Sequence, residues 1–187
     1  MPRTTDDFIA LLEPHYNSAA QYCRAIFINR KDAEDGLQDA VTTAIEHFSS
    51  LRDDSKFRSW FFTIITRTFY SFRRKQAGNN KLFMPLQEGH HSFPEVYNDD
   101  YLGEREKIML NALDTLSKKE KTAILLFEIG GLSLEDIRKV QKEISISAVK
   151  SRLSRTRLKL RNTIIEMEKI NQEQGGNYDI KTCIPGK

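Results

Sequence analysis

Apolar residues recur every three to four positions along most of this chain, and that spacing predicts helices rather than strands. Leu37, Val41, Ala44, Ile45 and Phe48 keep the period, as do Phe57, Trp60, Phe61, Ile64, Ile65 and Thr68. Val149, Leu153, Leu158, Leu160 and Ile164 keep it less strictly. Prolines stand at positions 2, 14, 85, 94 and 185, so residues 15–84 and 95–184 are free of the residue that most disrupts helices. Gly36 is the one glycine between positions 1 and 77. The expected fold is all-α.

Residues 76–103 break the period. They contain Pro85, Pro94, Gly78, Gly89 and Gly103, with Glu88, Glu95, Asp99 and Asp100 against Lys81. This reads as a flexible acidic linker. The predicted organisation is a helical domain over 1–75, the linker over 76–103, a second helical domain over 104–171 and a disordered tail over 172–187. Helix starts are marked in the second domain. Ser117 with Glu120 and Ser133 with Asp136 have the spacing of capping boxes, and Ser145 is placed to cap a helix opening at Ile146. Gly130-Gly131 separates the apolar helix 118–129 from the one opening at Leu134. A short helix, a brief turn and a longer basic helix form the pattern of a helix-turn-helix DNA reader.

The net charge of +3 changes this picture little, but its distribution changes it much. Residues 32–46 carry Asp32, Glu34, Asp35, Asp39 and Glu46 with no base. Residues 144–165 carry Lys150, Arg152, Arg155, Arg157, Lys159 and Arg161 with no acid. One surface suits a basic partner and the other a polyanion. Within the basic helix, Ser147, Lys150, Ser151, Arg152, Ser154 and Arg155 lie in the half that reaches base edges, while Arg157, Lys159 and Arg161 suit the phosphate backbone. Val149 and Leu153 are expected to face the core.

Residues 49–75 interleave Arg52, Lys56, Arg58, Arg67, Arg73, Arg74 and Lys75 with Phe57, Trp60, Phe61, Phe62, Phe69, Tyr70 and Phe72. Such mixtures hold single-stranded DNA, because bases stack on rings while cations follow phosphates. Phe57, Trp60 and Phe61 share the apolar stripe and are read as core, which leaves Thr63, Arg67, Tyr70 and Arg74 as the DNA-facing set.

Other chemistries find no foothold. There is no phosphate-binding glycine loop, HExxH or nucleophile motif, so no catalytic residue and no cofactor is assigned. Cys23 and Cys183 lack metal-ligand spacing, and His90 and His91 have no ligand companions, so no metal is expected. Cys23 reads as a small core residue and Cys183 as an exposed tail thiol. The apolar runs fall far short of the ~20 residues of a membrane span, and no signal peptide opens the chain, so a cytoplasmic location is expected.

Two stretches resemble the sigma-70 family, specifically its extracytoplasmic-function (ECF) class. Residues 32–75, DAEDGLQDAVTTAIEHFSSLRDDSKFRSWFFTIITRTFYSFRRK, look like region two. Residues 113–161, LDTLSKKEKTAILLFEIGGLSLEDIRKVQKEISISAVKSRLSRTRLKLR, look like region four. The resemblance implies a bacterial transcription initiation factor with core RNA polymerase and promoter DNA as partners, together with an anti-sigma factor. It implies that Asp32, Glu34, Asp35, Gln38 and Asp39 dock on polymerase. Arg52, Lys56, Arg58, Thr63, Arg67, Tyr70 and Arg74 would recognise and melt the −10 element, and the basic helix would read −35. The sequence departs from the family pattern in two places. The helix-turn-helix turn, Gln141-Lys142-Glu143-Ile144, lacks the usual glycine and is about one residue longer, with Arg138 at a position often small. Arg67 replaces an asparagine common in region two. From the residues alone, a stand-alone helix-turn-helix regulator and a decoy that sequesters a regulator remain rival readings, with an enzyme more distant.

Overall fold

The computed structural model describes residues 4–27, 29–79 and 103–173, with no strand among them. Helix α1 spans Thr5–Ile26, α2 Arg30–Glu46 and α3 Phe57–Asn79. Single 3-10 turns at Phe48–Ser50 and Asp54–Lys56 join α2 to α3. The second group is α4 Glu104–Asp114, α5 Lys118–Glu128, α6 Leu134–Gln141 and α7 Ile146–Glu173. The expected break after residue 75 falls inside α3, and the expected tail boundary falls at the end of α7. The greater part of the expected linker, with His90 and His91, lies outside the described residues, as do most of the tail and Cys183.

Local chemistry sets the helix ends. Thr4 and Asp7 form a reciprocal cap on α1, with Asp7 N donating to Thr4 Oγ1 at 3.2 Å and Thr4 N to Asp7 Oδ2 at 2.8 Å. Asn29 caps α2 by accepting from Asp32 N at 2.8 Å. Pro14 lies within α1. Pro14 and Ala10, whose carbonyl loses its helical hydrogen bond, are both exposed residues, so solvent can take that bond's place.

The first domain has a core of rings. Phe8 meets Phe48 and Phe57 edge-on at centroid distances of 5.3 and 5.6 Å, and Phe27 meets Phe69 and Phe72 at 5.4 Å each. Tyr22 packs edge-on against Phe62 at 5.3 Å, and its hydroxyl lies 2.9 Å from Thr66 Oγ1. Thr66 donates its own proton to Phe62 O at 2.7 Å, so Tyr22 is the donor of that buried bond. Full burial of each such ring contributes about 1.5–3 kcal/mol. Phe57 and Phe61 are buried as expected, whereas Trp60 is half-buried at the edge of this core. At Gly36 an added Cβ would collide with the Phe27 ring, so the ring's seat requires glycine there.

The second domain has an aliphatic core built from Ala123, Ile124, Leu125, Leu126, Leu132, Ile137, Val149 and Leu153. Ser117 and Glu120 make the anticipated capping box, and Ser133 accepts from Asp136 N at 3.1 Å. Gly131 turns the chain at φ +58°, a left-handed conformation that side chains disfavour. Leu158, placed in the apolar period by spacing, is 59% exposed.

The two domains pack on each other. α5 lies beside α1, and α6 beside α3. The Phe62 ring sits against Gly130, and the Arg58 guanidinium against Gly131. Buried residues of both domains therefore form one continuous apolar cluster.

Candidate nucleic-acid interface

The start of α7 is fixed before any ligand arrives. Ser145 Oγ accepts from Ala148 N at 3.1 Å, and Val149 and Leu153 hold the inner face in the core. The turn before it closes without glycine: Lys142 adopts φ 53° in the left-handed region, and Glu143 N donates to Arg138 O at 2.9 Å. Arg138, in place of a small residue, turns outward and bonds Glu135 through Nε at 2.8 Å and Nη2 at 2.7 Å.

The bases of α7 divide into two groups. Lys150, Arg155 and Arg161 are exposed, as are Ser147, Ser151 and Ser154. Arg152 turns inward. Its Nη1 donates to Gln141 Oε1 at 2.8 Å, and its Nη2 pairs with Glu143 Oε1 at 2.8 Å. Glu143 also receives Lys119 Nζ at 3.2 Å. Burial pushes the Glu143 carboxyl up, but the bonds from Arg152 and Lys119 outweigh it and hold it below its ordinary range. Arg157 pairs with Glu128 at 2.8 Å and lies 5.0 Å from the Phe127 ring centroid, while Lys159 approaches Glu120 at 3.6 Å. Exposed pairs of this kind contribute little to stability.

On α3 and the loop before it, Arg52, Lys56, Arg67 and Arg74 are exposed. Thr63 returns its hydroxyl to Ser59 O at 2.6 Å. Two members of the set face the other domain. Arg58 Nη2 reaches Ile129 O at 3.5 Å, and its buried Nε has no partner among the described residues. Tyr70 OH lies 3.1 Å from Thr122 Oγ1. Because Thr122 donates to Lys118 O at 2.8 Å, Tyr70 is the donor, and Gln141 Nε2 donates to the same oxygen at 2.9 Å. A polar chain thus runs from Tyr70 through Thr122, Gln141 and Arg152 to Glu143, joining α3 to the head of α7. Spacing along the sequence gave no sign of it; the lone acid Glu143 just before the basic run was the nearest hint.

α2 turns Ala33, Gly36, Leu37, Ala40 and Ala44 inward. Asp35, Gln38 and Asp39 are left exposed, Glu34 pairs with Arg30 at 2.8 Å, and Asp32 is half-buried beside its capping Asn29. Cys23 is buried, and desolvation pushes its thiol up to about 12, which makes it an inert core residue. No group of metal-binding side chains forms among the described residues, and no described helix is long and apolar enough to cross a membrane.

An acidic ridge, an aromatic-basic helix and a helix-turn-helix on one small helical chain define a promoter-directing transcription factor. Family models agree with the geometry: Sigma-70 region 2 matches residues 11–78, and Sigma-70 region 4 matches residues 106–160. The RNA polymerase sigma factor SigV of Bacillus subtilis is 30% identical, over 68% of this chain and 72% of its own. The ECF RNA polymerase sigma-E factor of Haemophilus influenzae is 27% identical, over 82% of this chain and 86% of its own. Among solved structures, the sigma factor RpoE of Bartonella quintana, in complex with the anti-sigma factor NepR, superposes with a TM-score of 0.68 at 25% identity, covering 84% of this chain and 96% of that one. The chain belongs to the sigma-70 family, in its ECF class. It is a transcription initiation factor that directs core RNA polymerase to promoters.

Proposed function

We propose that the three surfaces divide the work of promoter recognition. The exposed half of the α7 head, Ser147, Lys150, Ser151, Ser154 and Arg155, reads −35, and Arg157, Lys159 and Arg161 follow the phosphates. Arg152 serves that reading by bracing the turn. Arg52, Lys56, Arg58, Thr63, Arg67, Tyr70 and Arg74 engage −10 as its strands part. Polymerase grips the α2 ridge through Asp35, Gln38 and Asp39, with Asp32 and Glu34 at its edge. An anti-sigma factor is the natural regulator, since the similar RpoE was solved with one. The protein works in the cytoplasm and performs no chemistry of its own.

The observation that carries this reading is the α2 face. All five of its inward positions are small or aliphatic, so the Asp35 and Asp39 carboxylates are held on an outward ridge. Charge complementarity with a basic partner speeds encounter and fixes register. Reversal of both Asp35 and Asp39 to lysine is expected to abolish pull-down by core polymerase and run-off transcription while leaving the circular dichroism spectrum unchanged. Retained polymerase binding by this folded variant overturns the assignment of α2.

A further inference from the structure

The head of α7 presents an apolar feature that its basic surroundings do not explain. Ile144, in the turn immediately before the Ser145 cap, is 97% exposed, and Ile146, in the first turn of the helix, is 45% exposed. An isoleucine fully in water forgoes about 1.5–3 kcal/mol of burial. This one is also held in place. The Glu143 carboxylate is tied inward to Arg152 and Lys119, the Glu143 N–H to Arg138 O, and the Ser145 hydroxyl to the helix, so the intervening Ile144 projects from an anchored frame.

What surrounds it is a polyanion surface. Lys142, Ser145, Ser147 and Lys150 are exposed around the two isoleucines, and the acid of the turn is paired. Gln141 and Arg152, the side chains here able to make two-pronged contacts with adenine and guanine, are bonded to each other. The turn end of the reading surface, ahead of Arg155, is therefore left with hydroxyls, point charges and methyl groups. In the major groove the apolar group on a base edge is the C5-methyl of thymine.

We propose that Ile144, flanked by Ile146, is a specificity-determining residue that recognises the 5-methyl group of a thymine in the −35 element. The inference rests on α7 as the −35 reader. The turn makes it possible, because the left-handed Lys142 and the anchored Glu143 present Ile144 outward.

The test uses holoenzyme reconstituted from the full chain and core polymerase, with a promoter selected from random DNA. Each −35 thymine is replaced singly by deoxyuridine, which removes only the methyl group. At one thymine this is expected to weaken wild-type holoenzyme roughly four-fold, the weight of one buried methyl-sized group. Ile144→Ala is expected to bind the thymine promoter about as weakly as wild type binds the uracil one, and to be indifferent to the exchange; Ile144→Val should retain part of the discrimination. A selected −35 element without thymine, or equal sensitivity of wild type and Ile144→Ala to every exchange, overturns the proposal. So does weaker binding of Ile144→Ala to polymerase without DNA, which would mark a protein contact. Failure of the underlying reading looks different: Arg155→Ala would then leave preference at every −35 position unchanged.

Discussion

Helices α3 and α7 both carry basic residues proposed to meet DNA, yet they stand in opposite situations. The head of α7 is open: its capped first turn, Lys150 and Arg155 face solvent while Val149 and Leu153 fix the other side. On α3, Arg67 and Arg74 are open, but Arg58 and Tyr70 are folded against the second domain. In this arrangement the proposed −35 surface is exposed and the proposed −10 surface is partly covered. A basic residue in the sequence is thus a candidate contact only; its availability depends on what packs opposite. The seam also has uneven quality. Tyr70 is fully satisfied through Thr122, whereas the buried Arg58 Nε has no partner, and an unmatched buried donor costs about 1–3 kcal/mol. A polyanion that offers Arg58 a phosphate would therefore favour opening.

The contrast is broken most forcefully at Phe62, whose ring touches both Tyr22 in its own core and Gly130 across the seam. Phe62→Ala is expected to lower stability by about 3–5 kcal/mol in urea titration, and to make both domains more open to limited proteolysis. Loss confined to the first domain would show that the seam contributes nothing.

A smaller change sharpens it. Tyr70→Phe keeps the ring and removes the donor to Thr122, at a cost of about 1 kcal/mol. Duplex promoter opening by the holoenzyme should then proceed as fast as wild type or faster, because the cover is loosened while the stacking surface stays. Tyr70→Ala should open duplex DNA more slowly, with partial rescue on a pre-melted bubble template. If the two variants slow opening equally, the hydroxyl acts on DNA and the seam does not gate it.

The least effect is expected from acid. Glu143 has a folded pKa below its ordinary value of 4.5, so its contribution is present above that value and is lost as pH falls through the lowered one. Between about pH 7 and about pH 4 the wild-type urea midpoint should fall more than that of Glu143→Gln. An identical pH dependence in the two proteins would mean that the brace behind α7 adds no stability.

Much of this architecture was readable along the chain. The three-to-four-residue apolar period and the Ser117, Ser133 and Ser145 caps are local properties, decided within one helical turn, and the helices begin where those signals stand. Val149 and Leu153, four apart on a basic helix, could face only inward. The acidic and basic blocks likewise sit on single helices, so their sidedness follows from the helical repeat alone. Period also misled where a helix outran its partner: Leu158 keeps the spacing but is exposed, and Trp60 reaches only the core's edge.

What the tertiary structure decided concerns pairs far apart in the chain. Arg58 and Ile129, or Tyr70 and Thr122, meet only because α3 packs against the second domain, and no local period encodes such a meeting. Arg152 stands in a basic run beside Lys150 and Arg155, yet only the folded turn brings Gln141 and Glu143 within 2.8 Å of it and withdraws it from the surface. The same turn does the reverse for Ile144, an apolar residue that hydrophobicity alone would place inside. Local sequence determines which face a side chain takes on its own helix; whether that face meets water, DNA or another helix is set by long-range packing, where burial and hydrogen-bond satisfaction are settled together.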